Sequence, residues 1–209
     1  MRVAGRASWL IGVDQWNQPL EWALWFRAAE RIEVRADGPV TGPPDVDPLP
    51  TPSLTESDEL AEGWLWWWRT LLVRPSLAAP PTPLDLADLN RFGPPDFEGL
   101  AGHPALQRVV TARWGEANAW HSARKQAGIA TFRQMAGGPP GAGREGEVVR
   151  AVEAEIGHTA AAFSLRIVVL PVLDEQIRSA GEHTFLVPER VHAASAYDDW
   201  LRTVVRALA

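Results

Sequence analysis

Cysteine is absent from this chain of 209 residues. Its absence excludes disulfide bonds, thiolate nucleophiles, zinc sites built on cysteine and iron–sulfur clusters. The five histidines are scattered. The nearest approach to a metal-binding spacing is the pair Glu155 and His158, but Gly157 interrupts the helix that would place both on one face. We therefore expect neither a bound metal nor a cofactor.

Long apolar runs are also lacking. No stretch approaches the roughly 18 residues that cross a bilayer, and charged residues interrupt the N-terminal segment before a signal-peptide core can form. We expect a cytoplasmic protein with no membrane contact. Because 46% of the residues are apolar, the chain is long enough to bury one hydrophobic core.

Recognisable catalytic motifs are missing as well. There is no G-x-S-x-G nucleophile elbow, and the glycine-rich stretch 137–143 lacks the lysine and hydroxyl residue of a phosphate loop. Asp198 and Asp199 form a carboxylate pair, but their place in a first helical turn explains them without catalysis. Glu182 and His183, just before a predicted strand, are a weaker candidate pair. No catalytic residues can be assigned, and this favours a protein that is not an enzyme.

The charge is negative overall and unevenly placed. A formal net charge of −6 argues against nucleic acid as the main partner. Residues 37–62 carry acidic side chains and no basic ones. In residues 101–150, most of the charged side chains are basic. Arginine interleaved with tryptophan in the second segment is also a pattern that binds single-stranded nucleic acid. The same pattern arises from an ordinary pair of amphipathic helices in an arginine-rich protein.

Alternating side chains predict strands in the first part of the chain. Residues 9–13 form a short apolar run. Over 20–27, large apolar residues occupy every second position, which places them on one face of a strand. The same alternation recurs over 31–35. A helix also fits the middle stretch, and its apolar residues would be Trp22, Trp25, Phe26 and Ala29.

Proline dominates residues 38–54, where six prolines exclude helix and sheet. We interpret this segment as an extended strap. It is not a linker between domains, because the residues before it are too few to bury a core of their own. Flexible breaks are predicted at 75–83 and 137–143. The expected organisation is a single domain over 1–209.

Helices are predicted where apolar residues recur at helical spacing between cap and stop residues. The first follows the strap and ends before Pro75. Gly157 is the expected stop of a later helix, and Ser195 is a candidate N-cap for the last one. The predicted helices cover 55–73, 104–114, 116–135, 145–156 and 195–208.

Two strands are predicted among the later residues. Residues 163–172 are dense in β-branched side chains and almost entirely apolar, which is typical of a central strand, and residues 183–187 form the second. We predict an α+β fold in which one sheet is formed from N-terminal and C-terminal strands. A central helical segment and a C-terminal helix are expected to pack on one face of this sheet.

The stretch Gly63 to Arg69, GWLWWWR, places four tryptophans within five positions. On a helical wheel Trp64, Trp67 and Trp68 share the apolar face with three leucines, which assigns them to the core. Trp66 falls on the opposite, polar face. The neighbours predicted to share that face are Glu59, Glu62, Arg69, Thr70 and Val73.

An indole on a polar helical face is either covered by another segment or offered to a partner. We expect a non-catalytic protein-binding module, such as a complex subunit or an inhibitor or immunity-type partner, that recognises another protein. The alternative is a small enzyme whose pocket is lined by the tryptophans of residues 64–68 and whose catalytic residues are dispersed. The predicted partner-binding residues are Trp66, Trp25, Glu59, Glu62 and Arg69.

Overall fold

A mixed sheet of five strands forms the centre of the computed structural model, which describes residues 2–5, 9–53, 57–73, 90–135 and 143–209. The strands are β1 (Arg2–Gly5), β2 (Trp9–Asp14), β3 (Phe163–Leu170), β4 (Arg178–Gly181) and β5 (Thr184–Pro188). They lie in the order β1-β2-β3-β5-β4. The inner pairs β2–β3 and β3–β5 are parallel, whereas β1 and β4 are antiparallel strands at the two edges.

The central strand β3 divides the interior into two hydrophobic cores, because its side chains alternate between the faces of the sheet. Leu165, Ile167 and Val169 belong to one core. Val168 and Leu170 belong to the other. A strand that is apolar on both sides has to be covered on both sides, and this determines where the helices pack.

Six α-helices occupy the described residues and cover both faces of the sheet. They are α1 (Gln18–Ala29), α2 (Ser57–Leu72), α3 (Pro104–Met135), α4 (Arg144–Ile156), α5 (Glu189–Ala193) and α6 (Ala196–Leu208). Helices α1, α2 and α3 pack on the face that carries Val168 and Leu170. Helices α4 and α6 pack on the opposite face. A short 3₁₀ turn, Glu98–Leu100, precedes α3.

The predicted α+β class is confirmed, and so is a single sheet built from N-terminal and C-terminal strands. The strands predicted over 9–13, 163–172 and 183–187 are present as β2, β3 and β5. The expectation that the helices cover only one face is wrong, because β3 presents buried apolar side chains on both faces, Val168 and Leu170 on one and Leu165, Ile167 and Val169 on the other.

Residues 20–27 form a helix and not the strand that their alternation predicts. α1 begins after Asn17, whose side-chain oxygen accepts a hydrogen bond from the Leu20 amide at 3.2 Å. Pro19 lies in the first turn, where a helix tolerates proline. All residues from 20 to 29 are buried, so no polar stripe marks the helix in the sequence.

The predicted helices 104–114 and 116–135 are one continuous helix, α3. Gly115, where the prediction divides them, is an exposed residue inside this helix. A single glycine costs a helix about 1 kcal/mol relative to alanine. That cost does not interrupt a helix that packs along both α1 and α2.

The last helix, α6, is present as predicted, but the side chain of Ser195 does not cap it. Its start is held by Arg144 from α4. The Arg144 guanidinium binds the carboxylate of Asp198 and donates to the carbonyl oxygens of His192 and Ala194. One arginine therefore joins the beginnings of α4 and α6.

The strap, described here over residues 38–53, forms neither a helix nor a strand of the sheet. It is held by an isolated β-bridge between Pro44 and Val172. Arg27 also donates to the carbonyl oxygens of Thr41 and Gly42, at 2.8 and 2.9 Å. The strand predicted over 31–35 pairs with no other strand. The predicted breaks at 75–83 and 137–143 lie outside the described residues, apart from Gly143.

Candidate functional site

Exposure is unevenly distributed among the eleven tryptophans of this protein. Trp66 alone is exposed, with 41% of its surface accessible. Four others are partly covered. The fully or nearly fully buried ones are Trp9, Trp22, Trp25, Trp64, Trp67 and Trp68. Trp66 is therefore the tryptophan whose ring is most available for contact with another molecule.

The other tryptophans of α2 lie in the core, as predicted. Trp64 and Trp68 stack with ring centroids 5.3 Å apart. Their indole nitrogens donate to the carbonyl oxygens of Ala23 and Pro39, respectively. Trp67 is equally buried. All three indoles are fully buried, and they do not line either of the two grooves described below.

Trp66 lies in an open groove between α2 and the start of α3, which we call the indole groove. Its ring contacts those of Phe92 and His103, with centroids 5.8 and 5.0 Å away. Val73, directly after α2, is 80% exposed. The indole groove has a volume of about 580 Å³ and is lined by Glu62, Leu65, Trp66, Arg69, Thr70, Val73 and His103.

Two glycines allow the neighbouring rings to reach Trp66. A Cβ atom on Gly63 would lie 3.0 Å from the Cβ of His103. A Cβ atom on Gly99 would lie 2.5 Å from the Cε1 of Phe92. Real Cβ atoms are not found at the shorter distance, so the Phe92 ring would have to move, whereas His103 would have to shift by a few tenths of an ångström. The aromatic wall of the indole groove therefore depends on residues without a side chain.

Among the described residues, the charged side chains around the indole groove have no ion-pair partner. Glu62 and Arg69 line the groove, and Glu59 is exposed one turn earlier on α2. Within the described part of the chain, none of the three forms an ion pair, and the Trp66 indole nitrogen donates to no acceptor. The groove thus offers an apolar ring, a free N–H donor and charges of both signs. These groups suit the binding of a protein side chain.

Trp25, which is also among the predicted partner-binding residues, does not belong to this surface. Only 2% of Trp25 is exposed. Its ring packs edge-on against Phe26, with centroids 5.0 Å apart, and the Arg113 guanidinium lies 5.1 Å from its centroid. Trp25 is enclosed because α2 and α3 pack against α1, and Trp25 lies in the same core as Val168 and Leu170 of the sheet.

The helical wheel finds the part of the indole groove that α2 supplies. It misses Leu65, a half-buried residue at the boundary of the two helix faces, and His103, which comes from another element. Pro104 marks the start of α3 in the sequence. No spacing rule relates His103 to Trp66, because their contact is tertiary. The predicted residues that the structure brings together are Trp66, Glu62 and Arg69, with Glu59 beside them.

A separate group of polar side chains lies between α1 and α3 and pairs internally. Glu21 is fully buried, and its Oε2 atom lies 2.8 Å from Nδ1 of His121. The Arg124 side chain also approaches this oxygen, at 3.6 Å. No three histidine, aspartate or glutamate residues of the described ranges are placed to hold a metal ion. We infer that this group of side chains links α1 to α3.

Comparison with known proteins finds no relative. No protein-family model matches the sequence, and neither curated proteins nor solved structures give a match. Where the structure describes the chain, no helix has the length and apolar character needed to cross a membrane.

Proposed function

We propose that this protein is a non-catalytic protein-binding module, such as a complex subunit or an inhibitor or immunity-type partner, and that the indole groove is its contact surface. The observation that carries this proposal is the exposure of Trp66 alone among eleven tryptophans. Tryptophan is strongly enriched at binding hot spots, where its truncation costs about 2 kcal/mol or more.

The surroundings of Trp66 support the same conclusion. Phe92 and His103 contact its ring, so that the indole has less freedom to lose when a partner binds. Leu65 and Val73 add apolar surface within the same groove. Polar and charged side chains surround this apolar centre, which is the usual arrangement of a protein–protein contact.

The charges on α2 indicate which side chains of a partner would fit beside Trp66. Glu59 and Glu62 precede Trp66 on the helix, and Arg69 follows it by one turn. We expect the partner to insert an apolar side chain against the indole and to place a basic side chain near the two glutamates. Such a pairing would orient the partner along α2.

Replacing Trp66 by alanine tests the proposal. The variant should change the free energy of unfolding by about 1 kcal/mol, because it loses only two ring contacts at the surface. Recovery of a partner from the host lysate should fall about tenfold or more, in line with the loss of a hot spot. The partner would be identified by mass spectrometry and its affinity measured again with purified protein.

Matched variants separate binding from folding. Trp67→Ala removes a buried indole and should cost about 3–5 kcal/mol of stability. Glu62→Lys should weaken the purified complex, whereas Glu182→Lys, at an exposed position in the β4–β5 turn, should not. A folded Trp66→Ala protein that recovers the same partners with unchanged affinity would contradict the proposal.

A further inference from the structure

A second groove, of about 840 Å³, lies between the residues that follow α1 and the strap. We call it the strap groove. Its lining residues include Ile32, Val34, Arg35, Pro44, Leu49 and Leu173. Leu49 is 54% exposed and Leu173 is 44% exposed. In the described residues, the remaining large exposed apolar side chains are Trp66 and Val73 of the indole groove. Exposed apolar surface is thus concentrated in two grooves, which marks both as candidate contact sites.

The backbone beside the strap groove carries amide groups that are unpaired within the described residues, whereas the Val34 carbonyl already accepts a hydrogen bond from Arg27. Residues 33–36 form neither a helix nor a paired strand. Their amides make no backbone hydrogen bond within the described part of the chain. Burial nevertheless alternates as in a strand, since Ile32 is buried, Glu33 exposed, Val34 half-buried and Arg35 exposed. A segment of this kind is where an extended chain from a partner can add by backbone pairing.

The strap groove is positively charged, although the protein as a whole is negatively charged. Arg27, Arg31 and Arg35 line it, and Glu33 is its one acidic lining residue. Arg27 and Arg31 donate to backbone carbonyl oxygens. Arg35 makes no hydrogen bond or ion pair with the described residues. Burial lowers the pKa of Arg27 to about 10, so this cation is incompletely solvated.

We propose that the strap groove binds an extended acidic segment of a partner protein. The segment pairs its backbone with residues 33–36. Its apolar side chains pack against Leu49 and Leu173, and its carboxylates face Arg31 and Arg35. Charge complementarity favours an acidic segment, because three arginines of the groove would repel a basic one. The strap groove shares no lining residue with the indole groove, so the two sites can be tested separately.

Selection from an unbiased dodecapeptide display library on the immobilised full chain tests this proposal. The expected consensus alternates acidic and apolar residues. A peptide synthesised from it should bind wild type in a fluorescence anisotropy assay and lose about tenfold or more in affinity for Arg35→Glu and for Leu173→Asp. Both substitutions are at exposed positions, so the variants should fold.

Two control variants define the site. Arg108→Glu makes the same charge change at an exposed position on α3, and Trp66→Ala removes the centre of the indole groove. Neither should alter binding of the selected peptide. A library that yields no enriched sequence, a basic or non-alternating consensus, or an affinity that Arg35→Glu leaves unchanged would each overturn the proposal. A loss caused by Trp66→Ala would place the peptide in the indole groove and overturn it as well.

Discussion

Tyr197, the single tyrosine of the chain, shows how one buried polar side chain is held between two helices. It lies on α6 and is fully buried. Its hydroxyl donates to Oε1 of Glu145 on α4 at 3.3 Å, and the Arg144 guanidinium lies 5.1 Å from its ring centroid. Burial, and then the neighbouring Glu145 carboxylate, raises the pKa of Tyr197 above its usual value.

This shift predicts how stability changes at alkaline pH. The folded state keeps the Tyr197 proton above the pKa of about 10 that an unfolded chain has. The contribution of Tyr197 to stability is therefore complete below about pH 10 and is lost as the pH rises towards the folded pKa. In an alkaline titration, tyrosinate absorbance should appear only together with the loss of helical circular dichroism.

Tyr197→Phe provides the control for this titration. At neutral pH the variant should be less stable by about 1 kcal/mol, because it lacks the hydrogen bond to Glu145. Above about pH 10 the difference should shrink or reverse, since phenylalanine has no proton to lose. Ionisation of Tyr197 in a protein that is still fully folded at pH 10 would show that the hydroxyl is accessible to water.

Predictability at the residue level depends on whether a helix has a polar face. On α2 the wheel separates Trp66 from Trp67 correctly, because acidic and basic residues mark the exposed side. For Trp25 the alternation over residues 20–27 is misleading, because that stretch is a helix in which even Glu21 and Arg27 are buried. The groups that contact both charges come from distant parts of the chain. The sequence around α1 therefore does not predict those contacts.

At the level of elements, the long helix α3 contains two glycines with different surroundings. Gly115 is exposed, and an added Cβ would have no neighbour within 4 Å. At Gly128 an added Cβ would lie 2.3 Å from Cζ2 of Trp16. Trp16 lies in the loop before α1, with φ at 58°. The glycine therefore lets the loop rest on α3.

Alanine substitutions at the two glycines should have opposite effects. Gly115→Ala should stabilise the protein by about 0.5–1 kcal/mol, the usual gain inside a helix. Gly128→Ala should destabilise it by about 1 kcal/mol or more, because the Trp16 ring has to move. Denaturant titration measures both values.

A second background tests the reason given for Gly128. In a Trp16→Ala protein the obstructing ring is absent, so Gly128→Ala should become stabilising, as Gly115→Ala is in wild type. If Gly128→Ala were equally destabilising in both backgrounds, contact with Trp16 would not be the cause.

Element boundaries were predictable where local signals and tertiary packing agree. Polar residues before α2 and Gly157 after α4, which has the positive φ of a helix stop, mark those helices in the sequence. Asn17 and Pro19 begin α1 in the structure, whereas the alternation of large residues over 20–27 predicts a strand there. The edge strand β4 contains a register shift and residues that rarely form strands, so its sequence gives no period to detect.

At the level of the whole molecule, the two cores share β3 and cannot be separated without breaking the sheet. Leu60 of α2 belongs to one core and Leu201 of α6 to the other, and both are fully buried. The side chains of β3 contribute to both cores. We therefore expect the two layers of helices to unfold together.

Calorimetry of Leu60→Ala and Leu201→Ala tests this expectation. Each substitution should cost about 2–5 kcal/mol and lower Tm by roughly 2–4 °C per kcal/mol, as is usual for a chain of this size. Each variant should still unfold in one transition, with equal calorimetric and van't Hoff enthalpies. Two separate transitions in either variant would show that the layers are independent and that the predicted single domain is wrong.

The pairing of β2 with β3 also sets when this protein can finish folding as it is synthesised. Asp14 and Arg166 form an ion pair at 3.0 Å across these strands, although 152 positions separate them. A ribosome that adds about 5–20 residues per second takes roughly 8–30 s to make the intervening chain. Until β3 emerges, β1 and β2 have only each other, and an isolated hairpin is marginally stable. The apolar residues of β2 therefore lack their parallel partner strand for the whole time that synthesis of the intervening chain takes.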